Sequence, residues 1–392
     1  MTDNALLHLG EEPRFDQIKT EDIKPALQTA IAEAREQIAA IKAQTHTGWA
    51  NTVEPLTGIT ERVGRIWGVV SHLNSVADTP ELRAVYNELM PEITVFFTEI
   101  GQDIELYNRF KTIKNSPEFD TLSPAQKTKL NHDLRDFVLS GAELPPEQQA
   151  ELAKLQTEGA QLSAKFSQNV LDATDAFGIY FDDAAPLAGI PEDALAMFAA
   201  AAQSESKTGY KIGLQIPHYL AVIQYADNRE LREQIYRAYV TRASELSDDG
   251  KFDNTANIDR TLANALQTAK LLGFKNYAEL SLATKMADTP EQVLNFLHDL
   301  ARRAKPYAEK DLAEVKAFAR ESLGLADLQP WDLGYASEKT ARSQIRVQRN
   351  RSQKILPRRQ SIKRTVRPNQ KTLRHRIYRK NRPRLAQRRA LF

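Results

Sequence analysis

Along most of residues 1–338, apolar residues recur three and four positions apart, the spacing of one face of an α-helix. In "EDIKPALQTAIAEAREQIAAIKAQ" (21–44) that face is Ile23, Leu27, Ile31, Ala34, Ile38 and Ile41. "DTPELRAVYNELMPEITVFFTEI" (78–100) opens on Thr79 as N-cap, with Pro80 in the first helical position. Pro91 should kink or interrupt this helix, because proline lacks the backbone donor and crowds the preceding turn. "LSPAQKTKLNHDLRDFVLSG" (122–141) repeats the device with Ser123 and Pro124 and stops at Gly141. A long helix should follow Pro146, through "EQQAELAKLQTEGAQLSAKFSQNVLDAT" (147–174). Another fills "DTPEQVLNFLHDLARRAKPYAEKDLAEVKAFARESLG" (288–324), capped by Asp288 or Thr289 and closed near Gly324.

One region departs from this period. "FGIYF" (177–181) and "GYKIGLQI" (209–216) are rich in β-branched and aromatic residues and are flanked by turn residues. They predict a small strand pair, with "PEDALAMFAAAAQ" (191–203) as a helix between them. The expected fold class is therefore mostly α: a multi-helix N-terminal lobe with a minor strand pair near 177–216. No repeat of fixed period is present. The expected organisation is a helical region 1–160, a helical region with the strand pair 161–339, and a basic low-complexity tail 340–392.

Charge sharpens that last boundary. Residues 339–392 hold 20 of the 53 Lys and Arg and none of the 51 Asp and Glu, leaving 33 basic and 51 acidic residues before them. An acidic body of net −18 thus carries a segment of net +20, and the overall charge of +2 describes neither. A hydrophobic content of 42% with 27% charged residues is that of an ordinary water-soluble domain. The absence of cysteine excludes disulfides and thiolate metal sites. The start, "MTDNALLHLGEEPRF", has neither a basic leader nor a long apolar run, so neither a signal peptide nor a membrane span is expected, and the location should be cytoplasmic.

Candidate chemistry is sparse. The histidines are His8, His46, His72, His132, His218, His298 and His375. No two are four apart, so no helix presents the HExxH pair that binds zinc. There is no Gly-rich phosphate loop and no GxSxG elbow. "DDAAP" (182–186) and "SDDGKFDN" (247–254) predict turns; the second has a faint likeness to a calcium loop but lacks the spaced acids and closing Glu. Carboxylates on amphipathic helices form a solvated face. The residues alone assign no catalytic, cofactor-binding or metal-binding position.

Four stretches, taken in order, resemble the thimet oligopeptidase family of zinc peptidases: "FSQNVLDATDAF" (166–177), "LQIPHYLAVIQYADNRELREQIYRAYVTRAS" (214–244), "LLGFKNYAELSLATKMADTPEQVLNFL" (271–297) and "LQPWDLGYASEK" (328–339). The resemblance implies a nearly all-helical enzyme of two lobes, with a deep groove that admits short unstructured peptides and excludes folded proteins. It also implies zinc held by the two His of HExxH and a later Glu, with the motif Glu activating water. In the family those residues lie well beyond position 339. No catalytic or metal residue carries over to this chain: zinc belongs to the intact family member, and none is expected on this chain, which should be inactive as written.

After Lys339 the mixed-charge helical pattern gives way abruptly to Arg, Gln, Ser, Thr and Pro. A one-nucleotide shift accounts for the change. With permitted codons, "KTARSQIR" (339–346) read one nucleotide out of register becomes "KLREAKYA", a charge-balanced helical stretch. Later tail residues then yield "FSETEVKKYFP" and "VGKVLNGLFAQIKKLYGIGF", which resemble the family's own continuation. The tail is accordingly expected to be out of frame, disordered and unselected. The alternative is a nucleic-acid-binding helical protein with a basic arm, since clustered cations neutralise phosphates. Against it, the tail has only Tyr378 and the terminal Phe392 for base stacking. A third reading is a helical scaffold with no chemistry.

Overall fold

The computed structural model describes residues 4–10, 12–247 and 250–345, without the side chains of the last two. The basic tail beyond Ile345 lies outside the described residues. Its expected start does not: helix runs through Thr340 to Ile345, so the helical body continues past Lys339.

The first six helices are α1 (Thr20–Lys42), α2 (Glu54–Val76), α3 (Pro80–Gly101), α4 (Ile104–Lys114), α5 (Glu118–Thr121) and α6 (Pro124–Leu139). Their apolar faces meet in one core. In α1 every residue of the predicted face is buried, together with Ala26 and Ala30. That face packs on α2 and α3, which contribute Val63, Ile66, Val70, Leu89 and Phe96. At ~25 cal/mol per Å² of apolar surface, such burial is the main favourable term for the fold. Caps set the register. Thr79 accepts from the Leu82 N–H at 3.2 Å. Ser123 and Gln126 close a reciprocal capping box, and Gly141 leaves that helix with φ +92°.

Of the two expectations for Pro91, a kink or an interruption, the interruption does not occur: α3 continues through it to Gly101. An interior proline costs ~3 kcal/mol. Buried Leu89, Met90, Ile93 and Phe96 flank it, and breaking the helix there would uncover more than the proline costs.

The chain continues with α7 (Pro146–Ala176), β1 (Ile179–Phe181), α8 (Glu192–Ser204), β2 (Tyr210–Ile212), α9 (Ile216–Tyr225), α10 (Arg229–Thr241), α11 (Thr255–Leu271), α12 (Tyr277–Leu282), α13 (Pro290–Ser322) and α14 (Pro330–Ile345). β1 and β2 pair antiparallel, with Ile179 opposite Ile212 and Phe181 opposite Tyr210. The second strand is shorter than 209–216, because Pro217 in the first turn of α9 starts a helix at Ile216. Gly209 is obligatory beside this pair. Its φ is +79°, and a Cβ there would sit 2.1 Å from the Phe181 carbonyl oxygen.

Two compact units result. The described part of one is residues 4–164 with 259–285; that of the other is 165–258 with 286–345. Residues 259–285 join the first unit through Arg260, which pairs with Glu158, and Asn264, whose amide donates to the Leu155 carbonyl at 2.9 Å. The second unit has its own core, including Leu187, Phe198, Ile212, Val222, Leu231 and Ile235.

Candidate functional site

Within the second unit, the end of α7 and one side of α10 enclose a cleft of about 650 Å³. Its walls include apolar Phe177, Leu214, Leu246 and Phe252, and two cations line it, Arg237 on α10 and Arg242 immediately after that helix. Arg237 is held by Glu233 one turn earlier, Nε to Oε1 at 2.8 Å, and lies 4.9 Å from the Trp331 ring centre. Arg242 stacks 3.9 Å from the Tyr239 ring centre and donates to the Tyr239 carbonyl. Both guanidiniums are thus oriented by an aromatic face.

The rim after α10 is anchored. Ala243 takes φ +56°, an uncommon conformation for a residue with a Cβ, and its carbonyl accepts from the Asn254 N–H at 3.1 Å. Buried Asn254 reaches α7, donating to the Phe166 carbonyl and accepting from Asn169 at 2.9 Å. The predicted turn at 247–254, in its described residues 247 and 250–254, forms a strap that lines the cleft through Ser247 and Phe252. Asp253 accepts from the Thr255 N–H at 2.8 Å, just before α11 opens.

A buried ion network fixes α14 beside α10. Asp332 and Arg232 are fully buried, 0 and 1% exposed, and bond at 2.7 Å. Arg229 grips the other carboxylate oxygen at 2.7 Å, and the Gln329 N–H donates to it at 3.1 Å. Arg232 also donates to the Ala226 carbonyl at 2.7 Å and stacks on Tyr335, whose hydroxyl donates to Asp227 at 2.7 Å. Burial alone would raise the Asp332 pKa, but the hydrogen bonds from Arg229, Arg232 and the Gln329 N–H outweigh it and hold the carboxyl below its ordinary range. Residues 100 apart build this network, and no short motif announces it. One signal was available: Arg232 sits between Leu231 and Ile235 on the inward face of α10, where a charge demands a buried partner.

Among the described residues that line the cleft there is no carboxylate, histidine, lysine or tyrosine. Its two hydroxyls are engaged, Thr241 donating to the Arg237 carbonyl and Ser247 to the Ser244 carbonyl, each at 2.7 Å. A general base or free nucleophile is what hydrolysis requires.

The histidines do not converge. His218 is a core residue: its Nδ1 accepts from the buried Gly213 N–H at 3.0 Å, and burial, with the Lys211 charge, pushes its pKa down. His8, His46, His72, His132 and His298 are exposed on separate elements, and His375 lies outside the described residues. Among the described residues no three His, Cys, Asp or Glu side chains are grouped to hold a metal ion, so they do not fit the zinc site that the resemblance implies. Other strongly shifted groups are structural. Glu205 is pushed down to about 2 by hydrogen bonds from Lys211 and Tyr180, which tie the strand pair to the end of α8. Tyr107 is pushed up to about 12 by burial and its bond to Glu143. No described helix is long and apolar enough to cross a membrane.

Comparison with known proteins bears on both units. The family model "Neurolysin/Thimet oligopeptidase, N-terminal domain" matches residues 27–149, and that of "Peptidase family M3" matches residues 222–365. Oligopeptidase A of Haemophilus influenzae is 45% identical over 337 residues, 86% of this chain and 50% of that protein. Those of Salmonella typhimurium and Escherichia coli are each 44% identical over 338 residues, with the same coverage. The chain spans about half the length of these relatives.

Proposed function

Because the chain belongs to the thimet oligopeptidase family, peptidase family M3, we propose that it is the N-terminal part of a zinc metalloendopeptidase that hydrolyses short peptides in the cytoplasm. The observation that carries this reading is identity of 45% over 86% of the chain against only half of the relative. The zinc ligands and the general base belong to the part of the fold the chain does not span. The chain by itself supplies walls and anchoring, and does not turn over peptide. Its own cleft supports the assignment to binding: apolar sides with two aromatic-stacked arginines suit the mixed side chains and carbonyls of an extended peptide.

The departure from the family falls at Lys339 or shortly after it, by a one-nucleotide shift in the gene. The charge break at that point supports this, as does the family-like sequence recovered in the other frame. A second reading, in which the basic segment is a genuine extension of the fold, takes support from the family match reaching residue 365 and from helix continuing to Ile345; the nucleic-acid-binding alternative takes none from the comparisons. On the frameshift reading the tail attracts polyanions only as any run of cations does, through counterion release.

Deleting one nucleotide after the Lys339 codon tests both parts. The restored product should cleave a short unstructured peptide, stop when zinc is chelated and recover when zinc returns. The unaltered chain should show no zinc-dependent cleavage. Turnover by the unaltered, purified chain, or a restored product with no activity, contradicts the proposal.

A further inference from the structure

Helix α13 is 33 residues long, yet Ala319 is its one buried residue. From Leu300 to Glu314 every residue is exposed. This is not a helix designed for water all round. Val293, Phe296, Leu297, Leu300, Ala304 and Tyr307 follow one another at intervals of three and four, or of one where two share a turn, and so share a face. Phe296, Leu297, Leu300 and Tyr307 are 66, 48, 54 and 73% exposed. The polar flank is already self-sufficient. Asp299 pairs with Arg302 and with Arg303, the latter at 2.7 Å, while Lys305–Glu309 and Lys310–Glu314 pair along the helix. One side is complete in water, and the other carries large apolar and aromatic side chains of the kind found at the centres of interfaces.

We infer that this face of α13 is the seat for the remaining half of an M3 peptidase, and that it can take that half as a separate polypeptide. The inference rests on the family reading above. Helix α13 lies inside the span matched by the peptidase family model, 222–365. The relatives are twice as long as the segment matched here. A fold represented by about half its length exposes faces that its other half covers. The basic segment, with 20 Lys and Arg and no acid among residues 339–392, is far more charged than the cover of a stripe of Phe, Leu and Tyr needs to be. A short helix stripe does not need a covalent link to be covered, only a partner of the matching shape.

The test is co-expression of the full 392-residue chain with the half of the Escherichia coli relative that lies outside its matched 338 residues. That relative's own first half serves as the control that the partner is competent. The chain is recovered by a tag and the stoichiometry measured by light scattering. The expected result is a one-to-one complex that the double variant Phe296→Glu, Leu300→Glu weakens by roughly tenfold or more, as loss of central apolar anchors does. Because both positions are exposed, the variant should keep the helical circular dichroism of the parent. Leu300→Ala, a milder change, should weaken binding by a smaller factor. No complex in the presence of a competent partner overturns the inference, as does a complex indifferent to these substitutions. So does self-association of the 392-residue chain abolished by the double variant, which would assign the face to a second copy. Binding is read without turnover. A missing complex therefore leaves the activity of the frame-restored product standing, and an inactive restored product leaves the seat standing.

Discussion

Helices α1 and α13 have the same kind of sequence and opposite surroundings. Both carry an apolar stripe at helical spacing and a charged opposite face. Yet α1 buries eight of its 23 residues, and α13 buries one of 33. The difference is not in the helices but in how far they are covered: α1 meets α2 and α3 along its stripe, while every residue of α13 from 300 to 314 is exposed. An amphipathic pattern therefore specifies that a face will be covered, and is silent on which segment covers it. The stripe of α1 is packed into a core, and the stripe of α13 is the exposed face for which a partner is proposed above.

That comparison can be broken at several points, beginning with the anchor of the second unit. Asp332→Ala leaves Arg232 charged, 1% exposed and without its carboxylate. Removing one member of a buried pair costs about 3–5 kcal/mol. Chemical denaturation should show that loss in the transition that releases α14. A loss below about 1 kcal/mol would mean that the network does not hold α14.

Paired truncations test the comparison itself. Leu27→Ala removes a fully buried side chain of α1 and should cost about 2–5 kcal/mol. Leu300→Ala removes an exposed one of α13 and should change the stability of the chain alone by less than about 0.5 kcal/mol. Similar losses at both sites would mean that α13 is covered after all.

Acid gives a smaller and separable signal. The Asp332 carboxyl titrates below its unfolded value in the folded chain. Its contribution is therefore complete above about pH 4, the ordinary range of an unfolded aspartate, and is lost as pH falls through the lowered folded value. The stability gap between the parent and Asp332→Ala should narrow as pH drops below about 4, and a gap that widens there contradicts the assigned sign. Smaller still is the cap of α13. Thr289 accepts from the Gln292 N–H at 3.2 Å, so Thr289→Ala should lower helicity in α13 at a cost of about 1 kcal/mol. Circular dichroism across a thermal scan reads that change.

Much of the fold was legible because its determinants are local. Thr79, Ser123 and Thr289 announced helix starts through hydroxyls that each reach a backbone N–H three residues on, and the strand pair announced itself by composition. Pro91 does not break α3 because packing on both sides of it outweighs a local penalty that sequence spacing alone displays. The Arg232–Asp332 network was hidden because its members are 100 residues apart and neither belongs to a recognisable motif. The cleft was hidden for a related reason: its lining joins α7, α10 and a strap pinned by Asn254, and no window of sequence contains all three. What the sequence did carry was the family likeness, through four ordered stretches rather than through any catalytic residue.

Amide hydrogen exchange on α1 and α13 tests the central claim most directly, because exchange reads local opening helix by helix. In the 392-residue chain at low concentration, amides of residues 294–314 should exchange far faster than those of α1. Adding the remaining half of an M3 peptidase should slow the α13 amides and leave α1 unchanged. Protection of α13 equal to that of α1 in the chain alone, or no change on adding that half, would contradict the account.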